Sequence, residues 1–212
     1  RAIEKGATAL VVDKKIETVS SIPQIVVPDT RYALAAMSTR FYGEPSSQMT
    51  VVGVTGTNGK TTTSYFTKSI IEASGSEAGL IGTIQYQIGK MVIPAQETTP
   101  ESVEIQRYLA EMLKSGIKYA VIEASSHALS QHRVEGVRFS SAIFTNLSVE
   151  HLDYHANIQN YRAEKLKLVK GLDTEAFAIL NADHNASKHF AECTRAQVVW
   201  YGIKKKNADV TA

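Results

Sequence analysis

Hydrophobic positions along the chain gather into short unbroken runs, separated by longer stretches in which apolar residues recur at helical spacing. TVVGVTG (50–56), AGLIGT (78–83), YAVIEAS (119–125), SAIFTN (141–146), AFAILN (176–181) and QVVWYG (197–202) are such runs. A strand without polar alternation is buried on both faces, as in a parallel sheet covered by helices on each side. The pattern therefore predicts an α/β fold: a mainly parallel sheet with helices on both faces. One stretch differs. TIQYQIGKMVIP (83–94) alternates with period two around Gly89 and Lys90, which predicts a hairpin-like excursion. A helix is expected to end near Gly75, and another to run from Pro100 to Gly116 with Thr99 as its N-cap.

The pattern thins before residue 49. ATALVV (7–12) and IVV (25–27) read as short strands, and Asp29 caps a helix through Tyr42 that Gly43 stops. The polar connector EPSSQ (44–48) reads as a domain boundary. Two short strands and a helix cannot bury a core of their own. Residues 1–48 are therefore expected to be the C-terminal part of an N-terminal domain, ahead of a central domain at 49–212 that is itself incomplete. Arg1 and Ala212 read as cut edges of something longer.

Composition narrows the field. Hydrophobic residues at 43% and charged residues at 21%, with 13 Gly and 5 Pro, exclude disordered, collagen-like and coiled-coil chains. No apolar run approaches the roughly 20 residues that cross a bilayer, so no membrane is expected as a partner. The 23 basic and 21 acidic residues leave a net charge of +2, which argues against nucleic acid. The single cysteine, Cys193, forms no internal disulfide, in keeping with a cytoplasmic protein. Lys204 to Lys206 read as a solvated loop.

Candidate chemistry begins with GVTGTNGKTTT (53–63), between a buried strand and a helix. This is the setting of a phosphate-binding loop. Backbone amides of Thr57, Asn58, Gly59 and Lys60 can converge on phosphate oxygens at the positive end of the following helix. Lys60 supplies a charge for the β- and γ-phosphates, and the Thr61 hydroxyl can ligate Mg²⁺. The usual spacing would place glycine at Val54, so the strict pattern fails. The rival reading is a glycine-rich turn with a surface lysine.

Three further signals follow. Glu123 closes the run YAVIE, and ligands of open α/β sheets collect beyond such strand ends. There a carboxylate holds a hard cation beside the phosphates, or simply caps the next helix. The cluster TNLSVEHLDYH (145–155) packs Glu150, His151, Asp153 and His155 together. A structural zinc site and a helix start with surface histidines compete as its explanation, although one cysteine in the chain makes zinc unusual. In NIQNYRAEKLKLVKGL (157–172), Ile158, Tyr161, Leu168 and Leu172 share a helical stripe with Lys165 in its middle. Burial lowers an ammonium pKa, and a neutral amine can add CO₂ to become an anionic carbamate ligand. The plain alternative is a lysine packing its stem.

TGTNGKT, EASSHAL…QHRV, FTNLSVEHLDYH and YRAEKLKL together resemble the Mur ligase family, at the branch that adds the third amino acid of the peptide. The similarity runs over about residues 25–183. It implies a central ATPase domain between a UDP-binding N-terminal domain and a C-terminal domain absent from this sequence, so that the chain alone would be inactive. The implied activity is ATP-dependent amide ligation. Meso-diaminopimelate, or alternatively L-lysine, would join UDP-N-acetylmuramoyl-L-alanyl-D-glutamate through an acyl phosphate, in a monomer.

Residue by residue, the resemblance implies ATP binding by Thr57, Asn58, Gly59, Lys60, Thr61 and Thr62. It implies one Mg²⁺ on Thr61 and Glu123, and a second on His151 and the carbamate of Lys165. Lys60, His151 and Lys165 would serve catalysis. Thr98, Thr99, Ser125, Gln131 and Arg133 match positions that hold the muramoyl dipeptide, Arg133 through its planar fork. Two positions depart from many relatives: Glu97 stands where a neutral residue is expected, and His184 where a second acid is common. The alternative function is a P-loop NTPase or nucleotide-binding regulatory module, which has no need of Arg133 or a buried Lys165.

Overall fold

The structure is a computed structural model that describes residues 1–19 and 22–211; Ala212, read above as a cut edge, lies outside them. Strands β1 (Leu10–Val12) and β2 (Gln24–Val26) pair in parallel as a small sheet of their own. Helix α1 (Thr30–Phe41) follows, capped by Asp29, whose carboxylate accepts from the amides of Arg31 and Tyr32 at 2.8 and 3.0 Å. Its end at Gly43 takes the left-handed backbone, φ 76°, that glycine adopts at least cost. The connector is less free than its polarity suggests. Pro45–Gln48 forms a 3₁₀ turn with Pro45 and Ser46 buried, and Ser46 Oγ accepts from the Arg138 amide at 2.9 Å.

From residue 50 the expected strands all form. They are β3 (Thr50–Thr55), β4 (Ala78–Ile81), β5 (Gln85–Ile88), β6 (Met91–Pro94), β7 (Tyr119–Glu123), β8 (Ser141–Phe144), β9 (Phe177–Asn181), β10 (Gln197–Gly202) and a short β11 (Val210–Thr211). Among the described residues they make one sheet in the order β11-β10-β9-β8-β3-β7-β4-β5-β6. Every pairing from β11 across to β4 is parallel, whereas β4-β5-β6 is antiparallel. The predicted hairpin is thus β5-β6, turning at Gly89 and Lys90.

Helices α2 (Lys60–Ala73), α3 (Ser102–Lys114), α4 (Ser126–Ser130), α5 (Leu152–His155), α6 (Ile158–Lys170) and α7 (Ser187–Cys193) fill the crossovers. Alternate residues of β3 and β7 explain the unbroken apolar runs. Val52, Val54 and Val121 pack with Leu80, Tyr65 and Ile71 on the α2 face. Val51, Ala120 and Ile122 join Ile105, Leu109, Met112, Phe144, Leu168 and Phe190 on the other. Both faces are covered, so neither row of side chains meets water.

One helix start differs from the sequence-based expectation. Helix α3 begins at Ser102 with Glu101 at its N-cap, and no side chain caps it. The Thr99 hydroxyl, expected as the cap, donates to the Glu123 carbonyl at 2.6 Å. A tertiary partner outcompetes the local one.

Candidate functional site

The C-terminal ends of β3, β7 and β8 lie side by side, and the candidate chemistry gathers just beyond them. Chain leaving β3 turns at Gly56, φ 145°, where a Cβ would run into Thr145 Oγ1. Gly59, φ 84°, then opens α2 without a side-chain cap. Among the described residues the amides of Gly59, Lys60, Thr61 and Thr62 have no hydrogen-bond partner. Four free N–H groups at the positive end of a helix make an anion cradle. The expected donors Thr57 and Asn58 are committed elsewhere: their amides donate to Asn146 O at 2.8 Å and Asn146 Oδ1 at 3.1 Å. Lys60 folds back on its own loop, donating to Gly56 O at 3.1 Å and Thr57 O at 2.8 Å. Burial holds its ammonium below the usual lysine range, against the pull of Glu123 and Glu150.

Glu123 is fully buried at the end of β7. Thr61 Oγ1 donates to its Oε2 at 2.9 Å, and Thr83 donates to it twice, from Oγ1 at 2.9 Å and from the amide at 3.1 Å. A Cβ at Gly82 would strike the same carboxylate. Glu123 therefore does not cap α4; Ser125 does, accepting from the Ala128 amide. Thr83 escaped the sequence reading, although it sits, like Glu123, just past the end of an apolar run.

Lys165 lies inward as its place on the stripe requires, 1% exposed. Its Nζ donates to Gly56 O at 2.7 Å and stands 4.5 Å from the centre of the Tyr161 ring. Two lysines thus meet at one carbonyl. Burial first, and Lys60 second, push the Lys165 amine down to about 7. The Tyr161 hydroxyl lies 3.2 Å from Thr57 Oγ1, tying α6 to the loop.

The histidine cluster divides. His151 is exposed in a left-handed conformation, φ 55°, its ring packed edge-on against His127 and Tyr161. His155 is buried with Nε2 3.0 Å from Ser126 Oγ, joining α5 to α4. Burial and His127 hold its imidazole below the usual range. Among the described residues no three His, Cys, Asp or Glu side chains converge as a metal centre, which leaves the zinc alternative without geometry.

The remaining candidates form a second cluster beside Glu123. Arg133 Nη1 donates to Thr99 O at 2.8 Å, and its Nε and Nη2 donate to Gln131 Oε1 at 3.1 and 2.8 Å. Ser125 donates its amide to Thr99 Oγ1 at 3.1 Å, and the Thr98 hydroxyl lies 3.2 Å from that of Thr83. Glu97, the unexpected acid, forms an ion pair with Arg133, and Glu101 stands 3.4 Å from the same guanidinium. A groove of about 880 Å³ opens at the opposite end of the sheet between Lys68, Glu72, Ile88, Lys90 and Lys114, away from this chemistry.

Comparison with known proteins matches residues 54–212 to the Mur ligase middle domain. UDP-N-acetylmuramoyl-L-alanyl-D-glutamate–2,6-diaminopimelate ligases are similar over nearly the whole chain. The enzyme of Caldanaerobacter subterraneus subsp. tengcongensis is 42% identical over 96% of this chain and 42% of its own length. That of Halalkalibacterium halodurans is 44% identical over 97% and 43%. The chain thus spans about two fifths of the length of these relatives. A solved structure of a ligase with this name superposes with TM-score 0.87 at 26% identity, over 99% of this chain and 43% of that one. A Mycobacterium tuberculosis folylpolyglutamate synthase complexed with ADP shares the fold, with TM-score 0.63 at 14% identity over 84% of this chain and 48% of its own. Among the described residues no helix is long and apolar enough to cross a membrane.

Proposed function

The chain belongs to the Mur ligase family, and from that premise we propose that the intact protein is an ATP-dependent amide ligase of peptidoglycan precursor synthesis. Its substrates are UDP-N-acetylmuramoyl-L-alanyl-D-glutamate and a diamino acid, with meso-diaminopimelate favoured over L-lysine. Residues 1–48 belong to the end of a UDP-binding domain and 49–212 to the central ATPase domain. The enzyme works in the cytoplasm as a monomer, and the chain taken alone is inactive.

The observation that carries this reading is Lys165, a buried amine hydrogen-bonded to the turn of the phosphate loop and depressed to about 7. Plain nucleotide hydrolysis has no use for it. As a neutral amine Lys165 adds CO₂, forming an N–C bond and releasing a proton, and so becomes an anionic oxygen donor beside the phosphates. Glu123 and Thr61 present hard oxygens 2.9 Å apart at the mouth of the loop, a donor set that fits Mg²⁺. His151 and the Lys165 carbamate, both against Tyr161, would hold a second ion. Bound there, the cations offset phosphate charge.

The free amides of residues 59–62 and the Lys60 ammonium hold the β- and γ-phosphates of ATP. Arg133 and Gln131, with Thr98, Thr99 and Ser125 around them, hold the acidic end of the muramoyl dipeptide. Its D-glutamate γ-carboxylate attacks the γ-phosphorus, ADP departs, and the acyl phosphate is then attacked by the incoming amine with loss of phosphate. The protein's main task is to hold two anions together at reacting distance.

The test is phosphate release by the intact protein given ATP, the muramoyl dipeptide and either diaminopimelate or lysine. Release that needs all three substrates, and is faster with diaminopimelate, is the expected result. ATP hydrolysis indifferent to the dipeptide would instead favour a P-loop NTPase or regulatory module.

A further inference from the structure

We propose that His184 is the positioning residue of the phosphate loop, anchoring from behind the segment that grips it; this rests on the reading of that loop as a nucleotide site. Lys60, Lys165 and Tyr161 hold the first turn of the loop, at Gly56 and Thr57. Residues 145–148, just beyond β8, clasp the segment Thr57–Asn58 from the other side of the chain. Asn146 accepts from the Thr57 and Asn58 amides and returns a bond from Nδ2 to Asn58 O at 3.0 Å. Thr145 Oγ1 donates to Asn58 O at 2.7 Å, and the Ser148 amide donates to Thr57 Oγ1 at 2.9 Å.

The clasp has no regular secondary structure, so something must fix its far side. Two residues from the end of β9 do so. Asn181 Nδ2 donates to Thr145 O at 2.8 Å. His184 places Nε2 3.0 Å from Leu147 O, at the middle of the clasp. Its ring stands edge-on to Phe144, which stacks on Phe190 in the core.

The ring spans two backbone segments. Nδ1 accepts from the Ala186 amide at 3.2 Å, and Nε2 meets both backbone groups of Leu147, 3.0 Å from its carbonyl oxygen and 3.3 Å from its amide nitrogen. A carboxylate here would offer only an acceptor to that carbonyl. The imidazole instead reaches Ala186 and Leu147 at once.

Two substitutions separate anchoring from mere folding. In His184→Asn the side chain still accepts from the Ala186 amide but falls short of Leu147. In His184→Gln the longer amide can donate to Leu147 O. Hydrogen exchange at Thr57 and Asn58 in the nucleotide-free intact protein, binding of a fluorescent ADP, and the thermal midpoint are measured for each. We expect His184→Asn to exchange about tenfold faster at those two amides and to bind ADP about tenfold more weakly, the scale of one lost hydrogen bond. His184→Gln should stay within about threefold of the parent, with closely similar thermal midpoints for both. Unchanged exchange in His184→Asn, or a glutamine variant as loose as the asparagine one, would overturn the proposal. Exchange that responds as expected in a protein that binds no ADP would support the anchor and overturn the nucleotide reading.

Discussion

At the scale of single residues, burial decides what Lys165 is. A lysine on the apolar stripe of a helix could have snorkelled; instead its amine ends on Gly56 O with Lys60 on the same oxygen. The folded protein therefore disfavours the proton that the unfolded chain keeps until about pH 10.5. Between about pH 7 and 10.5 the unfolded state binds more protons, so this residue's contribution to stability rises with pH and its penalty is full below 7. The urea stability of the parent minus that of Lys165→Met, in bicarbonate-free buffer, should climb through that window by at most about 1.4 kcal/mol per pH unit. A flat difference would mean the amine stays protonated in the fold. Lys165→Ala in the intact protein should abolish ligation, with partial return on adding bicarbonate and short carboxylic acids; full activity without them would remove the carbamate role. Glu97 also belongs at this scale. It covers Arg133 with a negative charge; on the function proposed above the anionic dipeptide would have to displace it, so Glu97→Gln should lower KM for the dipeptide about threefold and leave kcat unchanged in steady-state assays.

At the scale of elements, α6 brings Tyr161 and Lys165 to the loop, and its first turn depends on one cap. Asn157 accepts from the Asn160 amide at 2.8 Å. Asn157→Ala should cost about 1 kcal/mol in urea unfolding, and nucleotide affinity should fall with it because the helix start carries Tyr161. Apolar spacing alone identified this helix and its inward lysine, since a 3.6-residue period allows no other face for position 165. The start of α3 was not legible in the same way. Pro100 and Thr99 make a sound local start signal, yet Thr99 finds the Glu123 carbonyl across the site. Local propensity is worth less than a buried hydrogen bond that joins the loop before α3 to the end of β7.

For the whole molecule, the order of strands creates the site. With β3 between β7 and β8, the loop after β3 receives Glu123 from one neighbour and the Asn146 clasp from the other. A nucleotide held there should stabilise the fold by mass action, about 2.7 kcal/mol at a hundred times Kd. For a protein of 150–250 residues that is a thermal shift of about 5–10 °C, and less for a longer one. Mg-ADP should therefore raise the melting temperature of the intact protein, and Lys60→Ala should remove most of the rise. An equal shift in both would place the nucleotide away from the phosphate loop.

The sequence by itself determined the strands, the hairpin, the glycine-rich loop before α2 and the inward lysine. Each follows from short-range periodicity or from glycines whose backbone angles no other residue takes cheaply. Only the tertiary structure decided what these groups face. Thr83 on Glu123, Asn146 on the loop amides, Glu97 on Arg133 and His184 on Leu147 pair residues far apart in the chain. Such pairings depend on which strands lie side by side, and periodicity along one strand carries no record of its neighbours.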